Sequence, residues 1–306
     1  MKVFVAGATG VLGRATVPRL VGAGHAVVAA ARSPERAEQL RAQGAEALMV
    51  DLFDAPAVGG AVEGCEAVIH MATSIPPLSK GWRGSAWAAN DRLRREGTRI
   101  LADAAAGAGV RVLVKETVCF FYPDSGATWI TEDVPVERQA FSAASLEAED
   151  TTAAFTGDAR RGVVLRFGLF YSADSRSTEE NLQLARLRLG PMIGRADAYQ
   201  SSIHVDDAAT AVLAALEAPA GTYNVADEPI TKAAWNSAFA SAFGTHRLRA
   251  TPGWVLRVGG RKLAVLGASR RVSSQRFRDA TGWQPAFPDA TVGLPAVAAE
   301  HRRAVA

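Results

Sequence analysis

The 306-residue chain is poor in lysine, tyrosine and cysteine. It has five lysines (Lys2, Lys80, Lys115, Lys232, Lys262) against 29 arginines, four tyrosines (Tyr122, Tyr171, Tyr199, Tyr223) and two cysteines, Cys65 and Cys119. Two cysteines cannot build a disulfide framework, and neither has the nearby partner that a zinc site needs. The histidines (His25, His70, His204, His246, His301) are scattered without ligand spacing, so no metal site is expected. No apolar run approaches the roughly 18 residues of a membrane-spanning helix. The first apolar run, Val3-Phe4-Val5-Ala6, breaks at Gly7, too soon for a signal peptide. A cytoplasmic location with no membrane partner is the expectation. The net charge is only +3, with acids among the arginines, so no nucleic-acid partner is expected either. At 48% hydrophobic and 21% charged, the composition excludes a disordered chain. The length allows one large domain or two of about 150 residues.

What is present is an alternation of two periods. Short apolar runs read as buried strands: Val3–Ala6, Ala26–Ala31, Ala47–Val50, Ala67–Met71, Val110–Thr117 and Val163–Phe167. Between them lie segments with helical spacing. Ser33-Pro34 opens one, with Ser33 as N-cap and proline at the first helical position. Long helices are expected over Ser85–Ala106 and Arg138–Phe155. Strands alternating with helices give right-handed crossovers and an α/β fold of Rossmann type, a doubly wound parallel sheet covered on both faces. After Phe167 the rhythm is lost. Residues 1–170 and 201–226 are assigned to the sheet domain. Residues 171–200 and 227–306 are assigned to a smaller, mainly helical region that caps a substrate.

The strongest motif is Gly7-Ala8-Thr9-Gly10-Val11-Leu12-Gly13, between the first strand and the first helix. Gly7 permits the tight turn, Gly10 lets backbone approach a pyrophosphate, and Gly13 lets helix and strand pack closely. The helix N-terminus, at Val11 and Leu12, offers free N–H groups and a positive dipole end. The second strand ends Ala31-Arg32-Ser33, without the acid that usually binds both ribose hydroxyls of NAD. The fork of Arg32 suits a 2′-phosphate, and Ser33 could add a hydrogen bond. NADP(H) is therefore expected over NAD(H).

The Gly-x-x-Gly-x-x-Gly spacing resembles that of the extended short-chain dehydrogenase/reductase family, the NAD-dependent epimerase/dehydratase group. Asp51-Leu52 is similar to the family's adenine-contacting pair. Ala67 to Ala72 resembles its strand leading to the nicotinamide side, which would be lined by Met71, Ala72 and Thr73. Ile203-His204-Val205-Asp206-Asp207-Ala208, Tyr223-Asn224-Val225 and Gly282-Trp283-Gln284-Pro285 resemble its later motifs. Hydride-moving members use a Ser or Thr near the end of the fifth strand and a Tyr-x-x-x-Lys on the next helix. One helical turn puts that pair on one face, where lysine lowers the tyrosine pKa.

Here that pair is absent. Phe141-Ser142-Ala143-Ala144-Ser145 best matches the segment, with Phe141 for tyrosine and Ser145 for lysine. The four tyrosines are followed four residues later by Gly126, Ser175, Ile203 and Asp227, so none has the lysine. Thr117 takes the Ser/Thr position, or Val118 in the alternative register. Tyr122, just past the fifth strand, is the other candidate proton donor, or else a packed aromatic beside Phe120 and Phe121. Tyr171 resembles a position near the substrate pocket, with core packing as the alternative. The expected function is an NADP-dependent oxidoreductase, reductase- or epimerase-like, acting on a small organic molecule with an atypical proton donor. A non-redox isomerase, cyclase or dehydratase, or a non-catalytic NADP(H)-binding regulator, are the alternatives. A homodimer through the two long helices is a further expectation.

Overall fold

Every residue from Val3 to Ala6 is fully buried. A strand buried on both sides needs helices over both faces of its sheet. The computed structural model describes residues 1–77, 83–136, 138–246, 248 and 265–305, and it shows that arrangement. In chain order the first half runs β1 (Lys2–Ala6), α1 (Val11–Gly22), β2 (Ala26–Ala31), α2 (Pro34–Ala42), β3 (Glu46–Met49), α3 (Ala55–Val62), β4 (Ala67–His70), α4 (Ala88–Arg92), α5 (Thr98–Gly107) and β5 (Val112–Val118). Then come β6 (Trp129–Ile130), α6 (Ala143–Ala154), β7 (Arg161–Phe167), β8 (Leu169–Tyr171), α7 (Arg176–Arg186), β9 (Tyr199–Gln200), β10 (Ser202–His204), α8 (Val205–Ala215) and β11 (Gly221–Val225). The chain closes with β12 (Ile230–Thr231), α9 (Lys232–Ala242), β13 (Arg271–Val272), α10 (Gln275–Thr281) and α11 (Ala290–Val305).

Seven strands form one parallel sheet in the order β11-β7-β5-β4-β1-β2-β3. Two apolar layers flank it, and alternate residues of each strand enter opposite layers, as the pleat requires. Val3, Val5 and Ile69 pack with Leu12, Val17 and Val212 of α1 and α8. Phe4, Val68 and Leu113 pack with Val58, Val62 and Leu101 of α3 and α5. The strand order reverses at β1 and β4, which is where an open α/β sheet leaves a crevice at its carboxyl edge.

Ser33 caps α2 as expected, its hydroxyl accepting from the Arg36 N–H, with Pro34 first in the helix. Two long helices differ from expectation. The segment expected as one helix over Ser85–Ala106 contains a 3₁₀ turn (Gly84–Trp87) and a single π turn, Leu93–Gly97, between α4 and α5. The π turn carries Arg94, which is 3% exposed and directs its guanidinium to Glu116 of β5. The helix expected from Arg138 begins at Ala143, because Ser142 closes a local turn on both backbone groups of Gln139.

The region after β7 is tied to the sheet through α8. His204 caps that helix, its Nδ1 accepting from the Asp206 N–H. The buried Asp207 carboxylate accepts the backbone N–H groups of Ala286 and Phe287 at 2.7 and 2.9 Å. The Phe287 ring lies 4.3 Å from that of His204. A separate apolar cluster joins Tyr171, Trp235, Phe239 and Leu294 of β8, α9 and α11. No helix among the described residues is long and apolar enough to cross a membrane.

Candidate active site at the carboxyl edge of the sheet

The glycine loop sits at the strand-order reversal. Gly7 has φ +90°, and a Cβ there would lie 2.5 Å from the Ala72 nitrogen and the Met71 carbonyl carbon. A Cβ on Gly13 would collide with the Gly7 carbonyl oxygen and lie 2.5 Å from the Ala8 carbonyl carbon. Both glycines are therefore demanded by contact between helix and strands. Gly10 is different. A Cβ there would meet only the Gly7 oxygen, at 3.3 Å, so the protein's own packing leaves its outer side open. Gly10 is also the N-cap of α1, with no side-chain cap and no acid in the first turn. The first N–H groups of that helix are left for an anion, so the loop fits a dinucleotide phosphate.

The other expected cofactor residues surround this loop. Arg32 is exposed at the end of β2 and pairs with no acid among the described residues. The Asp51 carboxylate accepts the Phe53 N–H at 3.0 Å, and Leu52 packs on the α3–α5 layer. Met71 is buried, with its sulfur 3.9 Å from the Thr16 hydroxyl, whose proton goes to the Leu12 carbonyl at 2.8 Å. The Ala72 N–H donates to His70 Nδ1 at 3.3 Å, and Asn90 holds the following turn by accepting the Ser74 N–H. Thr73 is half-buried between these two anchors.

Strand register lines up a row of buried polar groups along the same edge. His70 pairs with Lys115, and Arg166 lies between Thr117 and Asn224. Thr117 is fully buried and donates to Glu149 of α6 at 2.7 Å. Arg166 clasps the same carboxylate, with Nε at 3.1 Å and Nη2 at 2.5 Å. Arg166 Nη1 donates to the Tyr122 hydroxyl, which donates in turn to Asn224 Oδ1 at 2.9 Å. Burial pushes Tyr122 up to about 12 although Arg166 opposes the shift. Both expected proton donors thus fall in one buried network, and each hydroxyl already has an acceptor.

A second cluster adjoins it. Lys115 is completely buried, donating to the Glu116 and His70 carbonyls at 2.7 and 3.3 Å. Desolvation lowers it to about 7, Glu116 opposing and Arg94 adding to the fall. The His70 ring is also buried; its Nε2 has no hydrogen-bond partner among the described residues. Cys119 is buried and pushed up to about 12 by desolvation.

Phe141 is half-buried, with its ring centroid 6.2 Å from that of Phe121; Ser145, one turn on, is 3% exposed. Tyr171 is 3% exposed and donates to Asp227 at 2.7 Å. It packs under α11, where only a glycine, Gly293, leaves room for its hydroxyl. Sequence reasoning missed Arg94, Lys115, Glu149 and Arg166. A signal existed for two of them, since Lys115 and Arg166 each interrupt an apolar strand. Among the described residues no three His, Cys, Asp or Glu side chains converge as metal ligands would.

A parallel seven-stranded sheet with this glycine loop at its reversal point defines a Rossmann-type dinucleotide-binding fold. The chain belongs to the NAD dependent epimerase/dehydratase family, whose model matches residues 3–226. It is 31% identical over 312 residues to a 3-diazoavenalumate denitrifying reductase from a Streptomyces species, covering 96% of this chain and 99% of that one. It is 30% identical over 251 residues to the 2-alkyl-3-oxoalkanoate reductase of Shewanella oneidensis, covering 75% of this chain and 63% of that one. Among solved structures, that of human epimerase family protein SDR39U1 with NADPH superposes with a TM-score of 0.83 at 26% identity, covering 98% and 99% of the two chains.

Proposed function

We propose that the protein is an NADP(H)-dependent reductase of a small organic molecule, working without a Tyr-x-x-x-Lys pair. The observation that carries the cofactor is Gly10, a glycine with open space outside it at an uncapped helix start. Gly7, Thr9, Gly10, Val11, Leu12 and Gly13 hold the pyrophosphate in this reading. Arg32 and Ser33 take the 2′-phosphate, although the Ser33 hydroxyl also caps α2. Asp51 and Leu52 border the adenine, and Met71, Ala72 and Thr73 border the nicotinamide. When bound, the reduced dinucleotide supplies a hydride.

Beside the polar network, the Phe121 and Phe141 rings lie 6.2 Å apart, and the Thr117 and Tyr122 protons are already given to Glu149 and Asn224. Phe141 and Phe121 offer ring surface to a flat substrate. Thr117 and Tyr122 brace the edges of β5 and β7 through Glu149, Arg166 and Asn224, and so position the site. Such a site suits a hydride acceptor that needs no proton from the protein. The Streptomyces relative is named for a diazo compound and for denitrification. Replacing an aryl diazonium group by hydrogen consumes one hydride, forms a C–H bond and releases N₂. An activated carbonyl, protonated by water, is the other acceptor class to try.

Purified protein mixed with NADPH and a panel of aryl diazonium and carbonyl compounds should consume NADPH, followed by its nicotinamide absorbance. Binding without consumption across the panel would refute the reductase reading. NADPH should bind at least about tenfold more tightly than NADH, the size of one charge-assisted contact. Arg32→Ala should erase most of that difference. Equal dissociation constants in the wild type would refute the choice of NADP(H).

A further inference from the structure

Two guanidinium groups converge on one carbonyl of the glycine loop. Arg14, the residue after Gly13, donates from Nη1 to the Thr9 oxygen at 3.3 Å. Arg36 of α2 donates from Nη1 to the same oxygen at 3.4 Å. Thr9 sits between the strand end and the open N-terminus of α1, so both charges lie beside the phosphate cradle. Arg36 turns no other side-chain bond elsewhere among the described residues, but Arg14 does. Its Nε and Nη2 donate to one oxygen of Asp174, at 3.1 and 2.7 Å. Asp174 stands in the turn between β8 and α7, in the segment assigned from sequence to the substrate-capping region. Ser172 holds the other Asp174 oxygen at 3.1 Å, and Ser175, the next residue, caps α7.

We propose that Arg14 is a pyrophosphate contact and that Asp174 is its latch. This rests on the dinucleotide reading above. The Nε–Nη2 edge is the side of an arginine that carboxylates and phosphates take in the same manner, and one edge cannot serve both. In the free protein Asp174 occupies that edge and holds the turn before α7 against the glycine loop. A bound pyrophosphate takes Arg14 over, and Asp174 is released. The pair is 38% and 55% exposed, so water screens it and little is lost when it opens. Opening frees the start of α7, which belongs to that same segment. Cofactor occupancy is thereby linked to the position of that segment without contact between cofactor and substrate.

The test uses ADP-ribose, which carries the pyrophosphate and cannot transfer hydride. Binding is read by titration calorimetry on the full chain. Asp174→Asn should bind ADP-ribose about 2- to 5-fold more tightly than wild type, the range an exposed ion pair can withhold. Arg14→Gln should bind it about tenfold more weakly. ADP-ribose should also speed amide hydrogen exchange over residues 172–180 of the wild type. A merely structural Asp174 would give a lower melting temperature with equal or weaker binding, and that result overturns the latch. If the wild type binds neither ADP-ribose nor NADPH, the dinucleotide reading fails and the latch with it. If it binds both and Asp174→Asn gains nothing, only the latch fails.

Discussion

Lys115 offers a direct reading of what the buried row costs the fold. Its ammonium would lie among His70, Glu116, Arg94 and Glu149 with no exposed surface. Desolvation lowers its pKa from 10.5 to about 7. Between those values the unfolded chain holds a proton that the folded chain has released, so stability rises with pH. The slope is about 1.4 kcal/mol per pH unit, and from pH 7.5 to 9 the gain is about 2 kcal/mol. Other groups titrate in the same window. Asp227 is raised to about 8 and Lys232 lowered to about 8, both chiefly by burial. The experiment is therefore a difference. Urea unfolding of wild type and Lys115→Met is measured at both pH values, methionine keeping the length and removing the charge. The wild type should gain about 2 kcal/mol relative to the variant as pH rises. Parallel pH profiles would refute the assignment of Lys115 as a buried group that is half neutral near pH 7.

Two further substitutions test the packing and charge arguments. Gly13→Ala puts a Cβ against the Gly7 carbonyl, where neither backbone can yield; it should cost about 1–3 kcal/mol in urea unfolding and weaken dinucleotide binding, and an unchanged midpoint would contradict the close approach. Glu149→Ala leaves Arg166 buried without its carboxylate; a loss of about 3–5 kcal/mol is expected, and a loss under about 1 kcal/mol would show that water reaches the pair.

The central strands were legible because they are mostly buried and read as apolar runs, with Lys115 and Arg166 as interruptions; the seventh strand, Gly221-Thr222-Tyr223-Asn224-Val225, has no such run to mark it. Val3–Ala6 and Ala26–Ala31 needed no distant information. The glycine loop was legible because a turn and a close approach leave no choice of residue at Gly7 and Gly13. The start of α6 was not, since the turn that displaces it depends on Ser142 bonding back to Gln139, and serine is also a common helix residue. The π turn was hidden for a related reason: one extra residue in a helical ladder leaves the composition unchanged. The buried polar edge was the least legible part. Thr117 and Tyr122 sit at suitable places in the chain, but which way a hydroxyl points is decided by Glu149 and Arg166, 32 and 44 residues away respectively.

The bonds from Asp207 to Ala286 and Phe287 have a consequence for biosynthesis. The carboxylate is made about 80 residues before the two N–H groups that satisfy it. At about 5–20 residues per second the ribosome needs roughly 4–16 s to supply them. Within that interval the last strand, β11, is completed, yet α8 presents an acid that must stay hydrated, and Phe287 has not reached His204. The sheet can form early, but it closes on that side only once residues 286 and 287 are available. A nascent chain halted near Val225 would hold every strand of the sheet and still expose the face of α8 that the finished protein seals.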